Sequence, residues 1–135
     1  MTAYEIKPVY GATNPGPEET AKGPTRRFGS VIGLKADKEQ YYRELHANAW
    51  PQVLKRLKRS NLQNFSIYVT ELSGARYLFS YFEYTGDDYP ADMQKIAADP
   101  ETRRWWQETD PCQIQLPNRE EGDNWSVMEM LFLMD

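Results

Sequence analysis

The chain is 135 residues long, 40% hydrophobic and 27% charged, which suits one globular domain with a modest core. Its formal net charge of −4 argues against nucleic acid or an anionic membrane as partners. The single cysteine, Cys112, excludes an internal disulfide framework; with no apolar run of membrane-spanning length and no leader pattern, a cytoplasmic protein is expected.

Residues 1–25 hold Pro8, Pro15, Pro17 and Pro24 among several glycines and show no helical or strand period. They read as an irregular extension before a domain of residues 26–135. Phe28, Val31, Ile32 and Leu34 predict a first strand. Asp37 is placed to cap a helix that runs from Lys38. Pro51 cannot donate to the carbonyl of Ala47 and disfavours helical geometry at Trp50, so that helix breaks and a second one opens at Pro51. Val53, Leu54 and Leu57 mark its buried stripe, with Lys55, Arg56, Lys58 and Arg59 outside it.

Residues 62–71 alternate, with Phe65, Ile67 and Val69 on one face. Ser73-Gly74 signals a turn, and residues 76–84 form the second half of a hairpin. That half is apolar or aromatic on both faces, as a central strand would be. Residues 87–98 predict a helix with Tyr89, Met93, Ile96 and Ala97 inward. Asp99-Pro100 ends it and starts a short helix over 101–108. Residues 111–123 read as a polar loop and 125–133 as a closing strand. The order is β-α-β-β-α-β, a ferredoxin-like α+β fold with a four-stranded antiparallel sheet and helices on one face. The other face, in a chain so rich in aromatics, is expected to meet a second copy and form a dimeric α+β barrel.

His46 is the only histidine and the first candidate for proton transfer near neutral pH. It lies four residues after Tyr42, so the two share a helix face. Spacing alone also admits a structural pair, hydrogen-bonded within the helix. Trp105 and Trp106 diverge by about 100° on a helix, so one can be buried while the other lines a cleft. An indole packs on the C–H face of a sugar ring and donates from its N–H; core packing is the other reading. Arg103 and Arg104 read as surface groups, and Cys112 as a bystander. One histidine and one cysteine, far apart, match no metal-ligand spacing, and there is no phosphate loop or dinucleotide fingerprint.

Taken together, Tyr42-x-x-x-His46-x-x-x-Trp50-Pro51, Asn64-Phe65-Ser66-Ile67-Tyr68, Arg104-Trp105-Trp106 and a closing Leu131-Phe132 resemble the L-rhamnose mutarotase family, from about Arg26 to the end of the chain. The resemblance implies a dimeric ferredoxin-like protein without metal or organic cofactor that interconverts the α and β anomers of a free sugar. It implies His46 as proton donor, and Tyr42, Trp105 and Trp106 as sugar contacts. A further sugar-contacting position, commonly Tyr, is Phe65 here, which keeps the ring and loses a hydroxyl. Ala47-Asn48-Ala49 also departs from the Asn-Pro-Ile-like triplets familiar there. L-rhamnose or a related deoxysugar such as fucose is the implied substrate. The chemistry suits the residues, since opening a pyranose needs a proton delivered to the ring oxygen and one removed from the anomeric hydroxyl. Tyr68, Glu83 or a water is the candidate base. Two alternatives stand beside this reading: a cofactor-free oxygenase of the dimeric α+β barrel type, and a non-catalytic sugar-binding module.

Overall fold

The computed structural model describes residues 24–134. The expected extension over 1–25 therefore lies, apart from Pro24 and Thr25, outside the described residues. The elements follow in the order β1 (Arg26–Leu34), α1 (Glu39–Ala47), α2 (Pro51–Arg59), β2 (Leu62–Leu72), β3 (Ala75–Tyr84), α3 (Tyr89–Ala98), α4 (Pro100–Thr109), β4 (Gln113–Ile114) and β5 (Ser126–Met128). The sheet is antiparallel in the order β2-β3-β1-β4, with β5 also paired to β1. This is the expected α+β arrangement, with β3 at the centre as its two apolar faces predict.

Local chemistry fixes the helix ends. Trp50 is extended and Pro51 opens α2, so the missing proline N–H falls where no partner is needed. Asp88 caps α3 by accepting from the Ala91 N–H at 3.2 Å. Asp99 caps α4 by accepting from the N–H and the hydroxyl of Thr102 at 2.9 and 2.8 Å. Asp37 does not cap α1: it sits inside a 3₁₀ turn over Ala36–Lys38, and Lys38 precedes the helix with no side-chain cap. Glu39 secures that end instead, accepting from Arg76 of β3 through both carboxylate oxygens at 2.8 Å. The Ser73-Gly74 turn has φ of 50° and 81°, the left-handed geometry that matches hairpin twist.

Register decides which residues face the helices. Phe28, Ser30 and Ile32 of β1 lie opposite Phe82, Ser80 and Leu78 of β3. In β2 the register shifts by one between Gln63 and Ser66, and Asn64 there has a φ of 50°. This bulge places Leu62, before it, on the same face as Phe65, Ile67 and Val69, after it. Ile32, Leu34, Tyr42, Leu78 and Cys112 pack as one core cluster, and Leu62, Tyr84 and Ile96 as another. Asp92 joins the second as a buried carboxylate, accepting from Tyr84 at 2.5 Å and Asn61 at 2.9 Å.

Three further expectations change. Leu54 is half exposed, because the sheet end of α2 is covered by Val53 and partly by Leu57. The polar loop over 111–123 contains β4, which takes one end of the free edge of β1 at Gly33 and Leu34. The closing strand is correspondingly short: only Ser126–Met128 pair, with Gly29–Val31. Beyond it Leu131 is 94% and Phe132 79% exposed. A run apolar on both faces needs cover on both sides, and the described residues leave Leu131 and Phe132 largely without it. Among the described residues no helix is long and apolar enough to cross a membrane.

Candidate active site

A cleft lies between the helices and the sheet, as two joined cavities of about 710 and 660 Å³ that share Tyr42, His46, Phe65, Ile67, Trp105 and Trp106. Either volume lies in the range of small-molecule sites. At the centre of its floor Ser30 lies opposite Ser80, two small residues between the Phe28–Phe82 stack and the Ile32–Leu78 pair. These serines open space where larger side chains would close it.

The helices bring the predicted residues together. The His46 ring stands 4.3 Å from that of Tyr42, as i, i+4 spacing requires, and 5.1 Å edge to face from Trp105. Trp105, largely buried, also meets Trp50 edge to face at 5.2 Å. Its neighbour Trp106 is 38% exposed and lines the cleft, so the pair divides between core and cleft wall. Phe65, 44% exposed, extends over the cleft from the bulge and contacts Phe82 at 5.4 Å.

The histidine is oriented by its own helix. Its Nδ1 lies 2.9 Å from the backbone carbonyl of Tyr42. A carbonyl only accepts, so Nδ1 carries a proton and Nε2 is the nitrogen available for exchange. Burial lowers the pKa of His46, against a smaller opposing effect of that carbonyl, and so favours neutral imidazole with a lone pair on Nε2. Burial pushes the Tyr42 hydroxyl up to about 12, so it stays protonated.

The second wall was missed by sequence reasoning. Gln113, the first residue of β4, donates from Nε2 to the Tyr42 hydroxyl at 3.2 Å. Asn124 donates to Gln113 Oε1 at 2.9 Å, and Gln115 donates to Asn124 Oδ1 at 2.8 Å. Asp110, its carboxyl pushed up by burial, lines the same end of the cleft. A stretch of scattered amides carries no period, and only its pairing with β1 reveals it.

The two candidate side-chain bases stand apart. Tyr68 alternates to the other face of β2, is 60% exposed, and borders only the wider of the two cavities. Glu83 lines neither cavity. It is buried on the sheet face away from the helices, accepting from Gln63 and Asn64 at 2.8 and 3.0 Å and from Tyr81 at 2.6 Å. It holds the bulge that presents Phe65. Cys112 is buried, which pushes its thiol up. Arg104 pairs with Glu101, and Arg103 donates to the Ala97 carbonyl, both at the surface.

The sequence profile of the L-rhamnose mutarotase family matches residues 27–134. The chain belongs to this family. Among relatives, an L-rhamnose mutarotase of Lactiplantibacillus plantarum is 31% identical over 85 residues, 63% of this chain and 77% of that protein. One from Bacillus subtilis is 28% identical over 86 residues, 64% and 78% of the two chains. The crystal structure of an L-rhamnose mutarotase from Formosa agariphila superposes with a TM-score of 0.61 at 23% identity, over 82% of this chain and 99% of that one. A dimeric ferredoxin-like protein from an uncultured marine organism shares the fold with a TM-score of 0.52 at 13% identity, over 89% of this chain and 100% of that one. Membership makes the chain a sugar isomerase, a mutarotase, and favours that activity over the oxygenase and binding-module readings.

Proposed function

We propose that the chain interconverts the α and β anomers of L-rhamnose or a related 6-deoxysugar, with His46 carrying the proton. The observation that carries this reading is the orientation of His46: Nδ1 is occupied by the Tyr42 carbonyl, and Nε2 is left for the cleft. In its protonated form His46 donates from Nε2 to the ring oxygen, the C1–O bond of the ring breaks, and the anomeric hydroxyl loses its proton as the open aldehyde forms. Closure on the other face of the carbonyl reverses both transfers. Glu83 is buried on the far face of the sheet, which leaves a water, or Tyr68 at the border of the wider cavity, as the base in this reading. Trp106 and Phe65 offer ring faces to the sugar's C–H surface, and Tyr42 offers a hydroxyl. Val53, Leu57, Val69 and Leu78 give the wider cavity an apolar end suited to a 6-methyl group.

The working form is proposed to be a cytoplasmic homodimer built through the face away from the helices. The exposed apolar run Leu131–Met134 supports it, as does the dimeric relative of the same fold. In sedimentation the intact chain should run at about twice its 15.8 kDa; a clean monomer at micromolar concentration removes this part of the reading. The function is tested by anomer exchange in NMR across a sugar panel. The chain should accelerate exchange of L-rhamnose or a deoxysugar relative. Line broadening without faster exchange would make it a binder.

A further inference from the structure

Three carboxamides and one phenol form a chain with a single direction. Gln115 donates to Asn124, Asn124 donates to Gln113, and Gln113 donates to the Tyr42 hydroxyl, at 2.8, 2.9 and 3.2 Å. An amide has distinct donor and acceptor ends, so each link fixes the orientation of the next. The framework that holds them is the edge of β1: Gln113 pairs with Leu34, and Asn124 stands two residues before the β5 pairing at Ser126–Val31. The Ser126 hydroxyl, bonded to Asn118 at 2.9 Å, closes the loop between them.

We infer that Gln113, oriented by Asn124, is a positioning residue that fixes Tyr42 as a hydrogen-bond donor to the substrate, so that the group meeting Tyr42 is an oxygen lone pair. A phenol hydroxyl has one proton to give. The Gln113 amide occupies its oxygen, and no described side chain accepts its proton. Tyr42 borders both cavities of the cleft, so a bound sugar is the acceptor in reach. The high pKa of this hydroxyl agrees, because it keeps the proton in place. Tyr42 thereby recognises a sugar oxygen and is removed as a base. Neither the spacing of Tyr42 and His46 nor the aromatic wall conveys this direction.

The inference rests on the sugar reading for its substrate, and its test has one arm that needs no sugar. Tyr42 is replaced by 3,5-difluorotyrosine, whose more acidic hydroxyl titrates at pH values the fold survives, and is followed by ¹⁹F NMR. A donated hydrogen bond stabilises phenolate, so Gln113→Met should move the titration to higher pH. A move to lower pH, or none, overturns the inference, because Gln113 would then accept from Tyr42 or not engage it. In the second arm Gln113→Glu turns the Tyr42 proton onto a carboxylate. The half-saturating L-rhamnose concentration for anomer exchange should rise about 3- to 10-fold, the worth of one neutral hydrogen bond, with the loss falling mainly there and not on the maximal rate. In a Tyr42→Phe background the same change should add nothing. An equal loss in both backgrounds overturns the inference. If the unaltered chain accelerates exchange of no sugar, the sugar reading fails, and the fluorine titration still decides the direction of the relay.

Discussion

On one wall of the cleft, rings from α1 and α4 pack around His46; on the other, carboxamides from β4 and the loop before β5 pass hydrogen bonds to Tyr42. The ring wall is buried and largely apolar, and its geometry follows from helical spacing. The amide wall is half exposed, and its geometry follows from which donor meets which acceptor. Packing energy holds the first and hydrogen-bond direction holds the second. Damage to the ring wall should therefore appear first in stability, and damage to the amide wall in substrate recognition.

The largest effect expected on stability comes from Trp105→Ala. The indole is nearly buried against His46 and Trp50, and its removal leaves a cavity worth about 3–5 kcal/mol. Urea denaturation should show that loss, and a loss below about 1 kcal/mol would mean the wall is not packed as described. Trp106→Ala sharpens the comparison within one helix. Its ring faces the cleft, so the urea midpoint should hardly move while sugar binding weakens about tenfold, or ~1.4 kcal/mol. Tryptophan fluorescence titration reads the binding; a variant that unfolds with unchanged affinity would return Trp106 to the core. Phe65→Tyr should act in the opposite direction. The ring lies exposed over the cleft, so an added hydroxyl should lower the half-saturating L-rhamnose concentration a few-fold, with no loss of stability. The same concentration in both proteins would show that position 65 does not touch the sugar.

The smallest effect is on pH and stability. Burial lowers the folded pKa of His46 below its unfolded value of roughly 6.5, so the unfolded chain takes up the proton first as pH falls. The contribution of His46 is complete above that value and is lost as pH falls through the folded pKa. Urea midpoints across this window should decline slightly more steeply for the unaltered chain than for His46→Asn. Parallel curves would mean the imidazole is not desolvated.

The two walls also differ in how far sequence could reach them. Tyr42, His46 and Trp50 follow one another at intervals of four, and Pro51 announces the break, so this wall was legible residue by residue. The Trp pair announced its own division, because neighbours on a helix cannot share an environment. Asp88 and Asp99 behave as helix caps, while the Asp37 cap failed because a 3₁₀ turn displaced it and Glu39 found Arg76 across the fold. Gln113 and Asn124 were hidden, since an amide shows no period and its partner is set by tertiary pairing. The bulge at Asn64 was hidden for a related reason. Alternation in residues 65–69 was visible, but the one-residue shift that puts Leu62 on the same face depends on Glu83 across the sheet. The closing strand was over-extended, because apolar alternation reports a surface that needs covering and does not say what covers it.

The proposed proton transfer by His46 is tested most directly by the rate of L-rhamnose anomer exchange for His46→Asn against the unaltered chain, measured by NMR across pH with circular dichroism as the control for folding. A positioned acid–base group contributes roughly 10²–10⁴-fold, so the variant should keep its spectrum and lose exchange by that factor. The unaltered chain should show an inflection below the usual histidine value, as burial of the imidazole requires, and the variant should show none. Full exchange activity in a folded His46→Asn, or an inflection that survives the change, would contradict the assignment of the proton to His46.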